Sequence, residues 1–430
     1  MKKIFILMAI PYISFGITLN ESIDEAIKNN KELSAYREDI NISKLQLKID
    51  KNLYYPSFFA TYSYTFLKDV VNVEIPPNPP IPPLAFKQFD DDFSNLDVGF
   101  DYILYSGGLR PAKIKISKID ITASNENFNE KKNQLIADVK KAYLSVLQAE
   151  AVVEIYKKQL EAVKSHLERV KGFFEEGLVT KVDILQAKVK LSKVKRDLRS
   201  AQGKLKVAKS NLARLIGKDL NEDIEVEKVL INIPKELNLE ELEREALKSR
   251  NILKYLKLQK EKLQKLTKIE KSDFYPKAFA QAKYSYTDQN PYIDPKGNFA
   301  LTVGLNLKFR GIEPYHKILK TKAQEKKLYY QIEDIKSKII LDVKNSYENF
   351  ITAKENLKVA MDSLDEAQEY YNLVIEQFNN QLATTTDVLN AEAALTQARY
   401  GKEISYYEYL KSFADLERAV GKNLVEKVEE

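Results

Sequence analysis

Phe174-Glu175-Glu176-Gly177-Leu178-Val179-Thr180-Lys181-Val182-Asp183-Ile184-Leu185 returns 204 positions later as Phe378-Asn379-Asn380-Gln381-Leu382-Ala383-Thr384-Thr385-Thr386-Asp387-Val388-Leu389. Internal repeats have to be sought before any fold is considered. Four more blocks recur in the same order. Arg214-Leu215-Ile216-Gly217 returns at the same offset as Arg418-Ala419-Val420-Gly421. Upstream the offset is 220: Leu19–Asn30 reads like Leu239–Arg250, and Tyr55-Pro56 like Tyr275-Pro276. Tyr62-Ser63-Tyr64-Thr65 recurs as Tyr284-Ser285-Tyr286-Thr287, two positions further on at 222. The drop from 220 to 204 gives the first copy about 16 extra residues, which the proline-rich run Pro76–Pro83 accounts for. The chain is duplicated.

Each copy reads as helix, strand, loop, strand, long helix, turn, helix. Residues 1–16 read as a signal peptide, 17–217 as the first repeat, 218–238 as a linker and 239–430 as the second repeat. One helix is expected near Asn20–Tyr54, stopped by Pro56, as Pro276 stops its counterpart; proline also pushes its predecessor out of helical geometry. The long helices, 111–173 and 314–379, open after Gly107-Gly108 with Pro111 and after Gly311 with Pro314. Proline near the first helical turn is a favoured placement. At about 1.5 Å per residue these are rods of roughly 90 and 100 Å, and they need lateral partners along their length. Shorter helices follow at 180–217 and 384–420. The helices alone fit a coiled-coil stalk equally well.

The strands change that reading. They are expected near 57–67, 96–106, 278–288 and 298–309. Phe58, Ala60, Tyr62, Tyr64 and Phe66 alternate with Ser57, Phe59, Thr61, Ser63 and Thr65; Val98, Phe100 and Tyr102 alternate with Asp97, Gly99, Asp101 and Ile103, and Leu301, Val303, Leu305 and Leu307 with Thr302, Gly304, Asn306 and Lys308. Alternation fits a soluble sheet with one wet face as well as a membrane strand. A secretory leader, aromatic residues toward the strand ends and a polar opposite face with Lys and Asp favour the membrane. Four strands cannot close a barrel, and an open edge in hydrocarbon leaves backbone groups unpaired at several kcal/mol each. Copies of the chain must therefore share the barrel; two give about eight strands and three give about twelve, with room for a pore.

Composition narrows the function. Met1-Lys2-Lys3 and the apolar run Ile4–Ile10 before Ser14-Phe15-Gly16 read as a cleaved export signal, too short to span a bilayer. A short buried N-terminal helix is the alternative. The chain of 430 residues has 68 Lys+Arg against 62 Asp+Glu, a net charge of +6, or +4 without Lys2 and Lys3. That balance argues against nucleic acid as a partner. With no Cys and only His166 and His316, disulfides, thiolate chemistry and a histidine metal site have nothing to be built from, and no cofactor is implied. No constellation of nucleophile, base and orienter is present, so no enzyme is expected.

Three features together carry a family resemblance: Tyr55-Pro56-Ser57 at the helix-to-strand junction, Tyr105-Ser106-Gly107-Gly108 at the strand-to-helix return, and the doubled Phe…Leu-x-Thr-x-x-Asp-(Val/Ile)-Leu turn. By these the chain resembles the outer-membrane efflux proteins, the TolC-like channels, over its whole mature length. The resemblance implies a mainly α protein with transmembrane β strands. It implies a homotrimer whose four strands per protomer form a shared 12-stranded outer-membrane barrel, on a periplasmic helical barrel. It also implies a periplasmic adaptor and an inner-membrane pump of RND, ABC or MFS type as partners, with outer-membrane lipid around the strands. The function implied is the exit duct of a tripartite efflux or type I secretion system; a periplasmic coiled-coil adaptor of such a system is the alternative.

In that pattern the doubled turn meets the adaptor through Gly177, Leu178, Val179, Thr180 and Gln381, Leu382, Ala383, Thr384. Thr180 and Thr384 also suit helix N-caps. Asp387 matches an aperture-lining acid of the family, with Asp183 its first-copy counterpart. Its alternative is a solvated acid on a helix face. The second family aspartate is Asn390 here, which weakens the charge, and no Arg lies between 378 and 390 to clamp the turn. Pro56, Gly107, Gly108, Pro276 and Gly311 mark the strand–helix junctions. The proline-rich run reads as a stiff extracellular loop, or a ligand for a partner module, in polyproline geometry. The linker 218–238 is expected to run around the equator of the helical barrel, and the acidic tail to be a solvated end.

Overall fold

The computed structural model describes residues 16–69, 72–75, 84–87, 89–234, 236–308 and 310–425, with side chains of 72–75 and 84–87 excepted. The signal peptide apart from Gly16, the proline-rich run and the last five residues of the acidic tail lie outside the described residues. Eight helices occur among the described residues: α1 Leu19–Asn29, α2 Lys31–Asn52, α3 Leu109–Glu175, α4 Lys181–Ile216, α5 Leu239–Ser249, α6 Asn251–Lys271, α7 Glu313–Asn379 and α8 Thr385–Val420. The strands are β1 Ser57–Phe66, β2 Asn72–Ile75, β3 Leu84–Lys87, β4 Asp92–Tyr105, β5 Lys277–Thr287 and β6 Gly297–Asn306. The duplication is visible in length: α3 and α7 have 67 residues each, α4 and α8 have 36. No described helix is long and apolar enough to cross a membrane.

The chain divides into two compact units. The first takes in residues up to Glu38, Asn125–Lys254 and from Glu333 onward. It holds two homologous cores. In one, Ala26, Leu33, Val139, Leu212 and Ile216 pack together; in the other, Ala246, Leu253, Val343, Leu416 and Val420 do. Each pair of counterparts is separated by the same 220 or 204 residues as the sequence blocks. Each copy thus buries its first helix against its own last one.

A single first helix was expected in each copy; the structure has two. Asn30 between α1 and α2 is extended (φ −60°, ψ 125°), and Arg250 between α5 and α6 nearly so (φ −59°, ψ 116°). The break is held by side chains. Asn30 donates to the Leu215 carbonyl at 2.9 Å and accepts from the Leu33 amide at 3.0 Å, capping α2. Arg250 reaches the matching carbonyl, that of Ala419, at 3.0 Å, and pairs with Glu130 (2.8 Å) and Asp342 (3.3 Å). Neither residue breaks a helix by propensity alone, so the sequence pattern ran on through them.

The linker between copies is bound into this unit. Ile224 is buried, and Val226, Val229, Ile231 and Ile233 pack on the cores. Tyr143 donates to the carbonyls of Glu227 (2.6 Å) and Ile17 (2.9 Å), and its counterpart Tyr347 to that of Leu237 (3.2 Å). Burial pushes the Tyr143 phenol up to about 12.

The second unit, Asp39–Ser124 and Tyr255–Ile332, carries the sheet. Its four antiparallel strands run in the order β1-β4-β5-β6. Among the described residues the sheet is open: β1 and β6 are each paired on one side only. The register aligns Phe58, Phe100, Ala282 and Leu301 in one row, and Ala60, Val98, Tyr284 and Phe299 in the next. That face is exposed; Phe58 is 78% and Leu301 68% accessible. The opposite face carries the polar and charged residues, with Phe59, Ile103 and Phe279 among them. There Lys283 pairs with Asp97 at 2.9 Å, and Gln281 donates to Asp101 at 2.7 Å. Sequence reasoning missed β2 and β3, a separate two-stranded ladder bracketing the proline-rich run. Four residues a side is too short for alternation to register.

Candidate functional site

The two turns of the sequence repeat lie in the first unit and share one backbone design. After α3, the Leu178 amide donates to the Phe173 carbonyl at 2.8 Å and the Gly177 amide to that of Phe174 at 3.0 Å. After α7, Leu382 donates to Gln377 at 2.8 Å and Gln381 to Phe378 at 3.0 Å. These are Schellman closures, which need a left-handed residue after the helix. Gly177 supplies it with φ 76°; Gln381 supplies it with φ 60°, the one non-glycine with positive φ among the described residues.

The next helices start with the same cap. The Thr180 hydroxyl and amide donate to the Asp183 carboxylate at 2.7 and 2.8 Å. The Thr384 hydroxyl and amide donate to Asp387 at 2.6 and 2.8 Å, and the Asp387 amide returns a bond to the Thr384 hydroxyl at 3.2 Å. The threonine hydroxyl in each pair holds the aspartate below the usual carboxylate range. Both aspartates therefore have a structural duty as well as a charge. Asp387 is exposed, as is Asn390 one turn on, while Asp183 is half-buried. Thr386 and Gln186 join the starts of α8 and α4 at 3.3 Å.

The turn residues point different ways. Leu178 and Leu382 are exposed, at 46% and 79%. Val179 and Ala383 turn inward onto a cluster of Val170, Val374, Phe378, Val388 and Ala391. Phe174 and Phe378, counterparts in sequence, part company: Phe174 is exposed and Phe378 buried, with Phe173 filling the core instead at 5.6 Å from the Phe378 ring. On α4, Val182, Leu185 and Val189 form an exposed stripe at helical spacing.

Sequence reasoning missed what lies beneath the turns. His166 is buried against Phe378, with ring centroids 5.3 Å apart and neither ring nitrogen hydrogen-bonded among the described residues. Burial, with Arg169 nearby, lowers it to about 4. The signal was present: Val163, His166, Val170 and Phe173 follow one helical stripe. Higher on the same helices, buried Glu392 of α8 accepts from Gln159 of α3 (3.2 Å) and pairs with Lys190 of α4 (3.5 Å). Thr396 donates to its other oxygen at 3.0 Å.

The junctions lie in the second unit. Pro56 follows three tightened turns ending with the Tyr55 amide on Asn52 at 2.9 Å, and Pro276 follows a short 3-10 turn, Ser272–Phe274. Gly107 and Gly311 have φ of 65° and 61°, and Gly108 87°. At Gly107 a Cβ would lie 2.7 Å from the Ser272 carbonyl, so glycine is required twice over.

A family model described as outer membrane efflux protein matches residues 22–218 and 242–422, once in each copy. The chain is 20% identical over 405 residues to outer membrane efflux protein BepC of Brucella suis biovar 1 (strain 1330), over 92% of this chain and 85% of that one. Among solved structures it resembles the outer membrane protein VceC of Vibrio cholerae at 16% identity and TM-score 0.73, over 94% of this chain and 96% of that one. It also resembles the MtrE outer membrane channel of Neisseria gonorrhoeae in its open state, at 18% identity and TM-score 0.73, over 95% and 89%. At these identities the likeness to the solved structures is one of fold.

Proposed function

The chain belongs to the outer membrane efflux protein family, and from that premise we propose that three copies assemble into the exit duct of a tripartite efflux or type I secretion system. The observation that carries the assembly is the open sheet: an exposed apolar face, a polar face with its charges paired, and one unpaired edge on each of β1 and β6. In hydrocarbon those edges have to be met by further strands. Pairing β6 of one copy with β1 of the next closes a ring, and three copies of four strands give twelve. The apolar face then meets lipid and the polar face lines the lumen.

The turns of the sequence repeat form the periplasmic end in this reading. Exposed Leu178 and Leu382 and the α4 stripe of Val182, Leu185 and Val189 are the surface offered to a periplasmic adaptor. Gly177 and Gln381 set the turns, Val179 and Ala383 hold them from within, and Thr180 and Thr384 cap the helices that follow. Asp387 and Asn390, exposed on α8, line the aperture in three symmetry copies, with Asp183 behind them; a ring of carboxylates favours cations. An inner-membrane pump of RND, ABC or MFS type delivers the cargo. The adaptor alternative has no use for a sheet with a bare apolar face.

The test is assembly. Extracted from outer membranes in mild detergent, the protein should run as a heat-modifiable trimer and conduct in planar bilayers. A soluble monomer in the periplasmic fraction would overturn the reading.

A further inference from the structure

We propose that the junction between β6 and α7 is a binding site for the phosphate of an anionic phospholipid in the leaflet at the strand–helix border, an inference that rests on the barrel reading above. Arg310, Ile312, Glu313, His316, Lys317 and Lys320 line an open cleft of about 470 Å3 there. From Lys308 to Lys322 five side chains are basic and one, Glu313, is acidic. Part of that charge is answered inside the chain: Lys317 pairs with Glu313 at 2.8 Å, and Arg310 lies 3.8 Å from Asp273. Lys320, which lines the cleft, has no ion pair among the described residues, so the cleft keeps an excess of positive charge, with Lys308 and Lys322 flanking it in sequence.

The cleft continues the lipid-facing surface. The exposed row Phe299, Leu301, Val303 and Leu305 runs on into exposed Leu307, Ile312 and Tyr315. Exposed Phe274 and Tyr275 sit at the neighbouring start of β5. Aromatic side chains at a strand end mark the headgroup level of a bilayer. Cations placed at that level meet lipid phosphate, and each adds to the attraction. The donor set suits a phosphate diester: a guanidinium that can bind two oxygens and an ammonium that supplies point charge.

The duplication supplies a control within the molecule. At the equivalent turn of the first copy Arg310 is replaced by Ser106, which is buried and caps the Arg110 amide at 3.2 Å. The arginine that is present, Arg110, is buried between the rings of Tyr54 and Tyr102 at 5.2 and 5.5 Å. Its charge is taken up by aromatic faces. The exposed arginine is thus particular to the second copy, whereas Lys113 and Lys118 stand in the first copy where Lys317 and Lys322 stand in the second.

Native mass spectrometry of the full-chain trimer, delipidated and then offered phosphatidylglycerol or phosphatidylcholine, tests this. The intact protein should retain phosphatidylglycerol over phosphatidylcholine by roughly tenfold. Arg310→Gln with Lys320→Gln should bring the two lipids close to parity, with the trimer still heat-modifiable. Lys320→Gln alone, a change at an exposed unpaired side chain, should lower the preference in part and covers failure of the double variant to assemble. Equal retention by the intact protein, or a preference surviving in the variants, overturns the proposal. Inorganic phosphate that competes as well as the lipid would mark a free-anion site and also overturn it. Conductance is unaffected by these outcomes, so a failure here is separate from a failure of the channel reading.

Discussion

Gln381 holds the backbone conformation that Gly177 holds 204 residues earlier, with φ of 60° against 76°. A residue with a Cβ in that region costs about 1–2 kcal/mol, because its Cβ crowds the following carbonyl. Gln381→Gly should therefore stabilise the second turn by about 1 kcal/mol, and Gly177→Gln should loosen the first by a similar amount. Hydrogen exchange at the Gln381 and Leu382 amides reads this directly. Exchange that is unchanged or faster in Gln381→Gly would mean that the glutamine side chain itself holds the turn.

Arg250 is the one side chain that meets Glu130, Asp342 and the Ala419 carbonyl at the break between α5 and α6. The cluster extends through Arg418, which grips Asp342 with both terminal nitrogens at 3.0 and 3.1 Å. Removing one partner of a half-buried network leaves the others uncompensated. Arg250→Ala should destabilise the first unit by about 2 kcal/mol, measured as a lower midpoint of thermal unfolding. Arg250→Lys should recover only part, because a single ammonium cannot serve both carboxylates and the carbonyl in one geometry.

The duplication and the strand alternation were legible because both are written in spacing. Tyr62 and Tyr284 show it: the repeat aligns their motifs, and the alternation places both on the apolar face. The breaks at Asn30 and Arg250 were not legible, since each depends on a carbonyl about 170–185 positions away, Leu215 or Ala419. The turn motif was found, but not the split roles of Phe174 and Phe378, which local pattern treats as equals. Only packing against Phe173 and His166 tells them apart.

His166 makes the cluster beneath the turns sensitive to acid. Its folded pKa is lowered to about 4 from an ordinary 6.5. Above pH 6.5 the ring is neutral folded or unfolded, and it contributes no pH dependence. As pH falls from 6.5 toward 4 the unfolded chain takes up a proton that the folded one refuses. Stability present above the unfolded value is thus lost across that window, by up to about 3 kcal/mol. Protection factors around Val170, Phe378 and Val388, taken against the intrinsic exchange rate at each pH, should fall between pH 7 and 5. His166→Phe, which keeps a ring against Phe378, should remove most of that response; an identical response in the variant would place the sensor elsewhere.

Asp387 has two duties that substitution can separate. As the partner of Thr384 it needs an acceptor; as an aperture acid it needs a charge. Asp387→Asn keeps a carbonyl oxygen for the Thr384 amide and hydroxyl and removes the charge, whereas Asp387→Ala removes both. Both variants should shift the reversal potential of single channels in planar bilayers away from cations, and only the alanine should quicken amide exchange at the start of α8. The Thr384 hydroxyl keeps the carboxylate below its usual range, so cation preference should survive acidification through the ordinary aspartate value of 3.8 and fade only below it. Unchanged reversal potentials in both variants would confine Asp387 to its cap. The exposed Asn390 offers the complementary change: Asn390→Asp adds a second charge one turn along α8, and the preference for cations should rise if this face lines the aperture.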